Sequence, residues 1–239
     1  KRVRPGRDDK VITAWNALAV SAFARAAAAF GDERYRAAAV RAATFIGEEL
    51  TVAGRLQRTW KSGHAHIPAF LDDHAFRLAA LIDVYEATFD AQWVSRALVL
   101  ADEMTRLFWD DAEGGFFYTG SDAEPLLARS KHPLGGAEPS GNGVASLAFA
   151  RLATLCGRDD LGEKADRILR SYAPILPRAA RVLGPEALAG AWRTGDIEEV
   201  GIVGRADDPT TIAMLTETRR RHNPLRAGRI VPCSFNPKP

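Results

Sequence analysis

The stretch PAFLDDHAFRLAALIDVYEATFD, Pro68–Asp90, sets the plan of the chain. It opens at a proline turn and places Asp72, Asp73 and His74 where a helix begins. Leu71, Phe76, Leu78, Ala79, Ile82, Tyr85 and Phe89 then recur at helical spacing, which predicts an amphipathic helix over 72–89. The acidic pair stands where the partial positive charge of a helix N-terminus favours carboxylates. An apolar helix with a polar mouth recurs before and after this stretch.

Upstream, 11–30 reads as a helix carrying Trp15 and Phe23, Gly31-Asp32 stops it and caps the next, and 33–50 is its partner. GRLQRTWKSGHAH, 54–66, reads as a short hairpin. Downstream, Asp90 caps a helix over 91–108, and DAEGGFFYT, 111–119, reads as a turn and a strand. A loop rich in glycine and proline runs to Pro139, followed by a helix over 140–156, a turn over 157–159 and a partner over 160–173. Pro174 and Pro177 end that run, and 178–192 reads as a last helix.

The helix pairs can be aligned at their turns. Phe30-Gly31-Asp32, Thr88-Phe89-Asp90 and Cys156-Gly157-Arg158 recur about 58 and 68 residues apart, a period of repeat architectures. In that register Ala14-Trp15-Asn16, Asp72-Asp73-His74 and Ser140-Gly141-Asn142 fall together at the start of each first helix. One such helix cannot bury its face alone, so the pairs stack into a layered ring. The predicted fold is mainly α: an α/α toroid portion over 1–195, three helix pairs or half of a six-hairpin barrel, with short β-hairpins. Asn16, His74 and Asn142 are expected to converge on one mouth, with Asp72, Asp73, Trp15 and Ser140 beside them.

The tail, 196–239, differs. EEVGIVG, 198–204, reads as a strand, 208–222 as a helix with Pro209 in its first turn, and RIVPC, 229–233, as a second strand. This is a small β-α-β unit expected on the outside of the ring.

With 239 residues, 46% of them hydrophobic and 26% charged, the chain can bury a substantial core. A net charge of +2 argues against a nucleic-acid partner, and the cluster Arg219–Arg221 reads as the end of a helix. Cys156 and Cys233 are far apart, which fits a reducing, cytoplasmic compartment without a disulfide framework. No leader or membrane-length apolar run is seen, and a first residue Lys1 suggests a fragment of a longer protein.

Asp72 and Asp73 are the leading candidates for acid/base work, because paired carboxylates in a cleft can split their pKa values; the alternative is a helix cap with a charged neighbour. His64 and His66 share one face of a strand near His74, but no HExxH pattern or cysteine cluster accompanies them, so neither metal nor cofactor is expected. Trp15, Trp60 and Phe70 offer faces to a sugar ring or pack in the core. In Pro139-Ser140-Gly141-Asn142-Gly143, serine and asparagine supply polar groups and two glycines admit a ligand to the backbone. The segment lacks the GxSxG pattern, so Ser140 is not read as a nucleophile.

DDKVITAWNAL, PAFLDDHAF, WDDAEGGFFYT and PSGNGVASL, in this order, resemble the C-terminal region of the thioredoxin-domain-containing proteins of the DUF255, YyaL-like group, the spermatogenesis-associated protein 20 family. The likeness covers nearly the whole chain. It implies an (α/α)6 barrel similar to N-acylglucosamine 2-epimerases and six-hairpin glycosidases, and an upstream thioredoxin-like domain that this chain lacks. Family members usually read SWNGL and LEDYAF where this chain has AWNAL and LDDHAF. The expected function is binding or conversion of a saccharide. Asp72 or Asp73 would be the general acid/base and Asp9 a second carboxylate. Trp15, Asn16, His74, Ser140, Asn142 and Trp60 would contact the sugar. The rival expectation is a non-catalytic scaffold or sensing barrel serving the thioredoxin-like partner. On the catalytic reading, Asp73→Asn abolishes turnover and leaves the fold intact.

Overall fold

The structure, a computed structural model, describes residues 2–231 other than 133, 206, 221 and 222. Its first element is a two-residue strand, β1 (Val11–Ile12), leading into α1 (Thr13–Phe30); α2 (Glu33–Glu49) follows, capped by the Asp32 carboxylate, which accepts from the Arg34 N–H. Three strands come next: β2 (Thr51–Val52), β3 (Arg55–Lys61) and β4 (His64–Pro68). All pair antiparallel to β3, with Val11 opposite Trp60, Thr51 opposite Leu56, and Thr59 opposite His66. The expected hairpin is therefore the core of a small sheet that β1 and β2 extend.

The second pair is α3 (Leu71–Thr88) and α4 (Ala91–Phe108), the third α5 (Gly141–Cys156) and α6 (Asp159–Tyr172). Helices α1, α3 and α5 lie side by side, each backed by its partner α2, α4 or α6. Wedged between neighbours, α3 is buried on nearly all sides: Leu71, Ala75, Phe76, Leu78, Ile82 and Val84 belong to the core. The repeat register holds at the turns. Gly31, Phe89 and Gly157 all take a left-handed conformation, with φ of 65°, 54° and 66°, and each donates its N–H to the carbonyl four residues back.

Four expectations are corrected. The 111–119 stretch is a turn and an isolated bridge, Trp109 opposite Phe116, because Gly114 and Gly115 both sit at φ 79° and break an extended run. The last helix is two, α7 (Leu176–Ala179) and α8 (Gly184–Thr194), since Pro185 starts a new helix and disfavours continuation through the residue before it. Helix α8 packs beside α5, so it occupies the place of a fourth inner helix. At the inner-helix starts, α5 begins two residues later in the turn register than α1 and α3, so Asn142 is its second helical residue whereas Asn16 and His74 are the fourth of theirs, and the three triplets do not share one place at the helix start.

The fourth concerns the tail. Strands β5 (Glu198–Val203) and β6 (Arg226–Val231) are parallel, from Glu198 opposite Arg226 to Val203 opposite Val231, and α9 (Pro209–Arg219) connects them. The β-α-β unit forms, but it lies across the C-terminal ends of α1, α3 and α5 rather than outside the ring: Arg219 donates to the Glu86 carbonyl and stacks on Phe89. Pro232, Cys233, Arg221 and His222, parts of the expected strand and helix, lie outside the described residues. Among the described residues no helix is long and apolar enough to cross a membrane.

Charged side chains join the inner helices. Asp83 of α3 accepts from Arg25 Nε of α1 at 3.0 Å and Arg151 Nη1 of α5 at 2.8 Å, and Arg151 Nη2 reaches Glu86 at 2.9 Å. Burial opposes the charge on Asp83, but the Arg151 and Arg25 guanidiniums outweigh it and hold the carboxyl below its usual value. Removing one member of such a set strands buried charge. Arg151→Met should lower unfolding free energy by about 3–5 kcal/mol in urea titration, and a loss under 1 kcal/mol would refute this account.

Candidate functional site

The N-terminal ends of α3 and α5 and the connection ahead of α5 border a cavity of about 260 Å³, lined by Asp72, Ser140, Gly141, Glu138 and His132 among others. Sequence reasoning expected Asp72, Asp73, Asn16, His74 and Asn142 to share this mouth. The structure divides them into groups that face the cavity and groups that hold backbone.

Asp73 is fully buried and fastens two helices. Its Oδ2 accepts the N–H of Phe70, the N-cap of α3, at 3.0 Å, and its Oδ1 accepts the N–H of Ala14 in the first turn of α1 at 3.0 Å. Burial pushes its carboxyl up, against the pull of these bonds and of Arg58 at 3.4 Å. Asn16 and His74 are equivalent, as the register implies, but they too serve the helix ends. Asn16 Nδ2 donates to the Ile12 carbonyl and His74 Nδ1 to the Phe70 carbonyl, each 2.9 Å away and each an N-cap. That bond puts a proton on Nδ1, while Nε2 lies 2.9 Å from Arg55 Nη1, within a buried group that includes Glu103. His74 lies edge-on to Phe108 in the core and does not face the mouth.

Asn142 is likewise committed. Its Oδ1 accepts the Phe116 N–H at 2.8 Å and its Nδ2 donates to the Phe116 carbonyl at 2.9 Å, so one side chain replaces a strand partner for the bridge residue. Asp9 is on the exposed N-terminal segment, paired with Lys61 Nζ of β3 at 2.7 Å, and that contact holds its carboxyl below the usual range. Trp60 packs edge-on against Phe45, away from the cavity lining. His64 and His66 sit on β4 with ring centroids 6.2 Å apart, and no group of three metal-ligating side chains occurs among the described residues.

What remains at the mouth is Asp72, Ser140 and Trp15, with partners the sequence did not reveal. The Trp15 indole N–H donates to Glu138 on the rim. Phe70, Tyr118 and His132 form a stacked wall, with centroids 5.0 and 4.2 Å apart, and Arg58 covers the outer face of Phe70. The Asp72 carboxyl is pushed up to about 6, first by burial and then by the charges of Asp73 and Glu138.

The two glycines of 140–143 have a structural reason. An atom added at Gly141 would stand 2.2 Å from Asp72 Oδ1, and one at Gly143 2.2 Å from Glu186 Oε1. Carboxylates therefore press on the start of α5 from both sides, where the helix dipole favours them. Glu186, in the first turn of α8, is fully buried, and neither oxygen has a hydrogen bond of ordinary geometry among the described residues. Burial raises its pKa, with the Ser140 hydroxyl drawing it back in part; Ser140 in turn lies 3.5 Å from the Tyr172 hydroxyl. The signal for Glu186 was Gly184-Pro185-Glu186, a proline helix start with an acid in its first turn. Glu138, Tyr118 and His132 had none, because they come from long connections.

No family model matches the chain. By sequence the chain is similar to spermatogenesis-associated protein 20 of Homo sapiens, 31% identical over 225 residues that cover 90% of this chain and 29% of that protein. A Caenorhabditis elegans protein named B0495.5 is 30% identical over 93% of this chain and 31% of its own length. The chain thus spans about three tenths of the curated relatives it matches. Among solved structures it is similar to the cellobiose 2-epimerase of Spirochaeta thermophila, with TM-score 0.56 and 18% identity over 68% of this chain and 43% of that one. The GH76 alpha-mannanase of Bacteroides thetaiotaomicron gives TM-score 0.58 and 12% identity over 90% and 57%. The unsaturated glucuronyl hydrolase of Bacillus sp. GL1 gives 0.55 and 17% over 86% and 61%. The fold is that of the α/α toroid of these sugar epimerases and glycosidases.

Proposed function

We propose that the mouth of the inner helices takes a saccharide and that Asp72 exchanges a proton there. The observation that carries this reading is Asp72 itself: a half-buried carboxyl on a cavity, with its pKa raised to about 6. Such a group is mostly ionised at pH 7 yet more basic than an ordinary carboxylate, the compromise that general acid/base catalysis favours. The His132 ring on the lining, backed by Tyr118, suits the apolar face of a sugar ring, and Glu138, Ser140 and Asp72 suit its hydroxyls. Fold neighbours named as a sugar epimerase, a mannanase and a glucuronyl hydrolase support the substrate class by analogy only.

In this scheme the Asp72 carboxylate takes a proton from the bound sugar and returns it later in the cycle. Trp15 and Glu138 hold the rim, and Glu186 acts behind Ser140 without touching the sugar. A second reading, a scaffold serving an upstream thioredoxin-like domain, draws on a different observation: Asn16, Asp73, His74 and Asn142 all hold backbone at the helix ends.

A thermal-shift panel of mono- and disaccharides separates the two. A sugar that binds only the folded chain raises its melting temperature. Turnover of that sugar should rise with pH through an inflection near 6 and then level, because the base must be ionised, and Asp72→Asn should abolish both activity and inflection. No shift with any sugar would favour the scaffold; an unchanged pH profile in Asp72→Asn would remove Asp72 from the chemistry. Asp73→Asn gives a complementary check. Because Asp73 pins two helix starts, its replacement should cost about 1.5–3 kcal/mol of stability in urea titration, contrary to the expectation of an intact fold.

A further inference from the structure

A second cavity, of about 400 Å³, lies between the C-terminal ends of α1, α3 and α5 and the β-α-β unit. Glu86 on its lining is fourteen residues along α3 from Asp72, about 21 Å at helical rise, so this cavity is remote from the mouth. Its volume is within the range of small-molecule sites. Phe89, Leu147, Trp192, Ile202 and Leu215 give it apolar walls.

The charges lining it do not cancel. Asp83 is spent on Arg25 and Arg151, and Glu86 Oε2 on Arg151. Arg226, also on the lining, pairs with Glu198. Arg219 has the Glu86 carbonyl and the Phe89 ring face as partners, and among the described residues it makes no ion pair with a carboxylate. Burial and the nearby Arg36 act against its charge and together outweigh the pull of Glu86. Of the groups around Asp83, three guanidiniums thus face two carboxylates. Glu86 Oε1 is also buried and accepts no hydrogen bond among the described residues. A half-buried cation whose neighbouring carboxylate is already paired with Arg151, and a buried acceptor without a donor, are both costly to leave unmet.

The wall also shows strain. Phe89 takes φ 54° at the end of α3, where α1 and α5 place glycine. A bulky aromatic there is an outlier, and what it supplies is the ring on which Arg219 lies.

We propose that this cavity binds a small hydroxycarboxylate with an apolar body. The carboxylate neutralises Arg219, the hydroxyl donates to Glu86 Oε1, and the body fills the space against Trp192 and Leu215. The mouth is wet and acceptor-rich; this cavity is apolar with one excess positive charge, so it rejects neutral sugars.

The test is an NMR titration of the 15N-labelled chain with 3-phenyllactate, 3-phenylpropionate and 3-phenyl-1-propanol. The indole N–H of Trp192 reports the cavity and that of Trp15 the mouth. The expected result is a saturable shift of the Trp192 signal by 3-phenyllactate with Trp15 unmoved. Binding should be several-fold weaker for 3-phenylpropionate and at least about tenfold weaker for the alcohol. Arg219→Gln should weaken 3-phenyllactate by at least about tenfold while keeping the wild-type spectrum elsewhere, and Arg219→Lys should restore part of the affinity. If Arg219→Gln perturbs the whole spectrum, the ligand series on the wild type still decides. A Trp192 signal unmoved by millimolar 3-phenyllactate, equal affinity for the alcohol, or undiminished binding by a folded Arg219→Gln would each overturn the proposal. The readout is independent of saccharide binding at the mouth.

Discussion

Asp83 is taken out of water and held between Arg25 of one neighbouring helix and Arg151 of the other. A carboxylate so buried is tolerable only with both guanidiniums in place, so the contact demands that α1, α3 and α5 stand side by side at one height. The apolar residues around it would accept several packings of three helices. The charges accept far fewer, because each misplacement leaves an ion unpaired in the interior. The alignment of the inner helices, and with it the two ends of the half-ring, follows from this.

At the N-terminal end the same logic operates through hydrogen bonds. Helix starts leave backbone N–H groups unmet, and here several must be met inside the protein. Asp73 supplies acceptors to two helices, and Asn142 closes a bridge that lacks a strand. Polar residues clustered at helix starts can therefore be construction rather than chemistry. What distinguishes Asp72 is that it faces a cavity. Glu186 is distinguished by two buried oxygens that have no hydrogen bond of ordinary geometry among the described residues.

The two ends of the inner helices are chemically unlike. The mouth is polar, with the His132 ring on its lining, and burial pushes the Asp72 carboxyl there up to about 6. The other end is capped by the returning chain, and its lining combines apolar walls with the charge set around Asp83 and the guanidiniums of Arg219 and Arg226. Placing the β-α-β unit across the helix ends covers apolar surface that an outside position would have left in contact with water.

The sequence by itself determined the helix pairs and their turns. Helical periodicity and the stops at Gly31 and Gly157 are local, and the backbone obeys them wherever the helix packs. Phe89, aligned with those glycines, takes their left-handed conformation against its own steric preference. The equivalence of Asn16 and His74 was legible for the same reason; their task was not, since an N-cap carbonyl accepts a side chain whether or not a cavity lies beyond. Only the tertiary structure decided which polar groups face space. It brought Glu138, Tyr118 and His132 to Asp72 from connections without periodicity, set Glu186 against Gly143 from a helix that begins 43 residues later, and carried Arg219 back to Phe89. Those contacts join segments far apart in the chain, and burial and charge compensation, the forces that select them, exist only once the helices have packed.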